Sequence, residues 1–106
     1  MSSKEEMMEK YEEQLKELHV GVDAELLDWV IGCVGPANYN DDGRFVAASD
    51  ADEVKRVYTN FVADELKETD EEKGMAEIAK VLEKMSDINR KYRAVVYYLL
   101  AKAYGK

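Results

Sequence analysis

The residues best spaced for chemistry begin at Asn38. Asn38, Asn40 and Asp42 supply oxygens at positions one, three and five of a loop, with Gly43 at position six and Phe45 at position eight. That is the ligand order of an EF-hand calcium loop. The carboxylate that should close the site from position twelve is missing, because Ser49 stands there. Position one is a neutral asparagine, and Pro36 breaks the entering helix too early. The charge and ligand count fall short of calcium binding, so no metal is assigned. The segment is expected to be an Asn/Asp-Gly turn, whose side chains bond their own backbone.

Nucleophilic chemistry has one thiol and one imidazole to draw on, Cys33 and His19. They fall on different predicted helices, and no Asn or Asp is placed to orient the histidine. Cys33, beside an apolar helix face, reads as core. One Cys and one His also fall short of the three or four ligands of a zinc site. No carboxylate lies in an apolar run where burial would raise its pKa for acid–base work. Glu12, Glu13, Glu17, Glu71 and Glu72 read as solvated helix faces, and the six glycines are too dispersed for a phosphate loop. No cofactor is implied, and the chain reads as non-enzymatic.

The cluster Arg90, Lys91 and Arg93 is the remaining candidate, for an anion or an acidic partner. It falls in the first turns of a helix expected over 86–105, where cations oppose the macrodipole. The whole chain carries a net charge of −8, which disfavours nucleic acid and anionic membrane. The charge is uneven: residues 1–53 carry 4 basic against 14 acidic side chains, and residues 80–106 carry 7 against 2. An acidic N-terminal half folding against a basic C-terminal end accounts for this. Seven tyrosines against two phenylalanines favour side chains with an apolar body and a hydrogen-bonded tip. Tyr97, Tyr98 and Tyr104, with Trp29, are therefore the interface candidates.

The elements that position these groups follow from periodicity. Met7, Tyr11, Leu15 and Leu18 share a face of a helix over 3–19, closed by Gly21 as a left-handed cap. Asp23 caps a second helix to Val34, with Leu26, Leu27, Val30 and Ile31 inward and Gly35-Pro36 as its stop. After the loop, Phe45 or Val46 plugs into the core from a briefly extended run. Ser49 opens a third helix to Leu66, and Thr69 with Glu72 reads as a capping box for a fourth to Met85, weakened slightly by Gly74. The fifth, capped by Ser86, carries no charge from Ala94 to Ala101 and is apolar nearly all round, so it needs neighbours on several sides. The expected fold is all-α: one domain over 1–106, about five helices packed around a largely buried C-terminal helix. With no apolar leader or membrane-length run, a cytoplasmic protein is expected.

Gly35-Pro36-Ala37-Asn38-Tyr39-Asn40, Val46-Ala47-Ala48-Ser49-Asp50, Thr59-Asn60-Phe61 and the run from Asn89 through Lys91-Tyr92-Arg93 to Tyr97-Tyr98-Leu99-Leu100-Ala101-Lys102 carry a resemblance. Together they resemble a small family of uncharacterised prokaryotic proteins, a domain of unknown function. The resemblance implies a compact helical fold in a bacterium or archaeon, and no activity, ligand or catalytic residue. The expected function is thus a non-enzymatic helical protein-interaction or structural module, with an unknown protein partner or with itself through the tyrosine-bearing side of the last helix or Trp29. An alternative is a small-ligand or anion binder, or an enzyme, with its site between the Asn38–Arg44 loop and Arg90–Arg93. The third is weak nucleic-acid binding through the basic C-terminal segment.

Overall fold

The structure, a computed structural model, describes residues 3–106. Among the described residues there are five α-helices: α1 (Lys4–Glu17), α2 (Ala24–Val34), α3 (Ala51–Val57), α4 (Glu71–Lys84) and α5 (Arg93–Ala103). A 3₁₀ turn, Gly35–Tyr39, follows α2, and α3 widens into a π-helical stretch, Tyr58–Ala63. Two short strands, β1 (Phe45–Val46) and β2 (Lys91–Tyr92), pair antiparallel with Phe45 opposite Tyr92 and Val46 opposite Lys91.

The centre is α5, as its sequence requires. Every residue from Ala94 to Ala101 is at most 6 % exposed. It is surrounded by Met7, Tyr11 and Leu15 of α1, Leu27, Val30 and Ile31 of α2, Val57, Phe61 and Val62 of α3 and its extension, and Ile78 and Val81 of α4. Phe61 stacks flat on Tyr97, ring centroids 4.1 Å apart and planes 10° apart. A helix buried on every side has no free face, so each other helix contributes one apolar stripe to it.

Several boundaries differ from the periodic reading, each for a local reason. α5 begins at Arg93, not Ser86, because Lys91 and Tyr92 are drawn into extended pairing with β1. The amide of Gln14, 7 % exposed, reinforces this: Nε2 donates to the Arg90 carbonyl and Oε1 accepts from the Tyr92 N–H, as a neighbouring strand would. Arg90 and Lys91 therefore precede the helix, and only Arg93 lies in its first turn. α1 is closed by His19 at φ 58°, so the left-handed residue is the histidine and not Gly21. Asp50 and Asp70, one residue beyond the expected Ser49 and Thr69, cap α3 and α4: their carboxylates accept from Asp52, Glu53 and Lys73 N–H groups.

The π-helical stretch places both Phe61 and Val62 in the core, with the Leu66 N–H reaching five residues back to the Phe61 carbonyl at 3.0 Å. Gly74 of α4 packs against it. A Cβ there would stand 2.5 Å from the Tyr58 ring, so the glycine is required by close approach of the two elements.

Candidate functional site

The turn that resembles a calcium loop is committed to structure. Asn38 is 1 % exposed; its Oδ1 accepts from the Tyr11 hydroxyl at 2.7 Å, and its Nδ2 donates to the Ile31 and Gly35 carbonyls, both at 2.8 Å. Asn40 Oδ1 accepts from the N–H groups of Asp42 and Gly43, and Asp42 is exposed. Among the described residues no three His, Cys, Asp or Glu side chains gather as a metal cluster.

The basic cluster is divided among three environments. Lys91 is buried, and its Nζ donates to the Ile88 carbonyl at 2.6 Å. Arg90 is exposed and lies with Cζ 5.1 Å from the centroid of the Phe45 ring. Arg93 reaches inward, donating Nε to the Gly43 carbonyl at 2.8 Å and Nη2 to the Phe45 carbonyl at 3.3 Å, and pairing with the Glu53 carboxylate. Glu53 also binds Arg56 through its other oxygen at 3.0 Å. One carboxylate thus bridges two guanidiniums at the N-terminus of α5, where the macrodipole favours negative charge.

Around this triad is a cleft of about 250 Å³, lined by Glu53, Arg56, Asn60, Arg93 and Tyr97 together with Cys33, Val34, Ala37 and Gly43. Of the Asn38–Arg44 loop only Gly43 borders this cleft, and of the basic cluster only Arg93 does; Arg90 and Lys91 lie outside it. Burial works against the Arg93 charge, but Glu53 and the Tyr97 hydroxyl beside it hold its pKa above the ordinary value. Burial raises the Tyr97 pKa, an effect that neighbouring Arg93 opposes. Burial, then the Glu65 and Asp64 carboxylates, pushes the Cys33 thiol up to about 11, so it is protonated at neutral pH. His19 borders a separate hollow with Glu17, Lys84 and Asp87.

A second, larger concavity of about 700 Å³ runs between α4, α5 and the α1–α2 linker. Val20, Val22, Val81, Leu99 and Ala103 give it apolar surface, and Lys80, Lys84 and Lys102 stand around it with Glu77 and Asp23. Lys80 is paired with Glu77 at 3.3 Å, and Asp23 caps α2. Lys84 and Lys102 have no ion-pair partner among the described residues. The Lys102 Nζ lies 5.9 Å from the centroid of the Tyr98 ring.

Of the aromatic interface candidates, Tyr97 and Tyr98 are buried in the core at 4 % and 0 % exposure. Tyr98 fixes the groove wall: its hydroxyl donates to the Gly21 carbonyl and accepts from the Asp23 N–H, both at 2.8 Å. Tyr104 donates to Glu68 Oε1 at 2.9 Å. Trp29 keeps 39 % of its surface exposed and tilts against Phe61. Sequence reasoning singled out neither the groove nor Glu53. The periodic lysines of α4, Lys80 and Lys84, were the available signal for the groove. Glu53 is one of several acids in the first turn of α3, and only its distant pairing with Arg93 distinguishes it.

The family model described as "Protein of unknown function (DUF2853)" matches residues 10–106, and the chain belongs to that family. No curated protein matches the sequence.

Proposed function

We propose that this member of the DUF2853 family is a non-enzymatic helical binding module, whose groove between α4, α5 and the α1–α2 linker takes an apolar helix flanked by carboxylates from a partner protein. The observation that carries this is an open, partly apolar groove bordered by three lysines in a chain of net charge −8. Two of those lysines, Lys84 and Lys102, have no ion-pair partner among the described residues, so they are available to an incoming acid. The wall is held in place beforehand by Tyr98, which reduces the ordering cost of binding. A helix laid into an apolar groove presents anchors at i, i+3 or i+4, and i+7, and its flanking charges choose the partner. A non-catalytic role is supported by the protonated Cys33 thiol and by the placement of His19 at a different hollow.

The test is calorimetric titration with two amphipathic peptides of identical leucine spacing, one flanked by glutamates and one by lysines. Binding of the glutamate peptide, weakened at least about tenfold (about 1.4 kcal/mol) in Lys84→Glu/Lys102→Glu, is expected. Equal affinity for both peptides, or none for either, overturns the proposal. Sedimentation of the protein alone tests the competing occupant, a second copy; a dimer that Lys84→Glu/Lys102→Glu dissociates would assign the groove to self-association instead.

A further inference from the structure

The cleft over the Arg93–Glu53–Arg56 triad is independent of the groove and has its own chemistry. Its walls are rich in hydrogen-bond donors. Arg93 is 14 % exposed and Glu53 13 %, and both oxygens of Glu53 are occupied by the two guanidiniums. Within the triad one carboxylate meets two guanidiniums, while the Asp64 and Glu65 carboxylates act on the neighbouring Cys33. Arg56, 62 % exposed, uses only Nη1 on Glu53, so most of its five N–H groups remain free at the cleft. Tyr97 is 4 % exposed, lines the cleft, and donates its hydroxyl proton to no acceptor among the described residues. The Arg93 guanidinium stands beside its oxygen, and no buried side-chain polar atom among the described residues is left unsatisfied. Asn60, exposed and also in the lining, adds an amide that makes no hydrogen bond among the described residues.

The rest of the lining has a different character. Cys33, Val34 and Ala37 are small and weakly polar, and the Cys33 thiol is neutral. At about 250 Å³ the cleft lies just below the roughly 300–1,000 Å³ of drug-sized ligand pockets and suits a few heavy atoms. A group of acceptors at one end, a short hydrocarbon at the other and one negative charge fit this space.

We propose that the cleft is a binding site for a short aliphatic carboxylate, its oxygens held by Arg56, Asn60 and the Tyr97 hydroxyl and its hydrocarbon set against Cys33, Val34 and Ala37. A carboxylate matches the planar fork of a guanidinium, and the two donors flanking it define its orientation. Glu53 acts as a positioning residue, keeping both arginines in place without touching the ligand.

The test is amide chemical-shift titration of the full chain with butyrate, with inorganic phosphate and with 1-butanol as the uncharged analogue. Butyrate is expected to shift Cys33, Arg56, Asn60 and Tyr97 together and to saturate, and to slow alkylation of Cys33. Butanol is expected to do neither. Arg56→Gln, at an exposed side chain that leaves the core untouched, should weaken butyrate at least tenfold. Arg90→Gln, outside the cleft, should leave it unchanged. Tyr97→Phe, checked by its melting curve, should weaken binding if it folds. Saturable binding of phosphate without butyrate overturns the carboxylate assignment. Shifts that never saturate, or that fall equally in Arg56→Gln and Arg90→Gln, overturn the site itself.

Discussion

Two arginines three residues apart should differ sharply in what they do for the fold. Arg93→Met keeps most of the side chain's volume and removes its charge. The Gly43 and Phe45 carbonyls then lose their donor, and Glu53 loses one of two cations while staying 13 % exposed. Breaking a buried ion pair from one side costs about 3–5 kcal/mol. Because Glu53 keeps Arg56, the lower end applies, and the loss should be about 3 kcal/mol. For a chain near 100 residues, each kcal/mol moves the melting temperature by about 4–8 °C, so a fall of about 12–24 °C is expected. Arg90→Met removes an exposed cation over the Phe45 ring and should cost no more than about 1 kcal/mol. Urea melts of both variants, of Glu53→Gln and of the Arg93→Met/Glu53→Gln double variant give the coupling energy, expected at about 2 kcal/mol. The difference should persist in 1 M salt, because the pair is shielded from solvent. If Arg93→Met melts within a few degrees of Arg90→Met, the interior role assigned to Arg93 is refuted.

The remaining expectations concern packing and reactivity. Gly74→Ala gains about 1 kcal/mol of helix propensity, yet its Cβ would stand 2.5 Å from the Tyr58 ring and 3.2 Å from Val62. Overpacking costs about 1–3 kcal/mol, so a net destabilisation of up to about 2 kcal/mol is expected in denaturant melts, and a stabilised variant would contradict the packing described. The Cys33 thiol, pushed up to about 11 from 9.0, should react with a thiol reagent at pH 8 about 100-fold more slowly than a free cysteine. Its neutral form persists above the ordinary pKa, up to about pH 11, so the rate should climb about tenfold per pH unit until near that value. Labelling at the free-thiol rate in the folded protein would show that the side chain is not screened from solvent.

The helices themselves were legible in the sequence. Met7, Tyr11 and Leu15 at four-residue spacing, the Asp23 cap, the Gly35-Pro36 stop and the charge-free run from Ala94 to Ala101 are local signals, and each governs structure within one or two turns. The same locality explains the misplaced start of α5. Residues 86–92 satisfy helix periodicity on their own, but the backbone of Lys91 and Tyr92 finds partners in Phe45–Val46 and in Gln14, groups far away in the chain. Tertiary hydrogen bonds outweighed a weak propensity.

The tyrosines mark the limit most clearly. Composition and spacing showed that they need one apolar and one polar environment, and the hydroxyls of Tyr11, Tyr98 and Tyr104 do find partners, at Asn38, at Gly21 with Asp23, and at Glu68. Whether the polar environment is solvent, another protein or the chain's own backbone is set by which segments approach, and one-dimensional patterning carries no such information. For the same reason the sequence alone determined that an acidic half and a basic end coexist, and only the tertiary structure decided their pairing. Glu53 binds Arg93 across forty residues because two helix N-termini meet, and a charge pattern cannot specify that meeting.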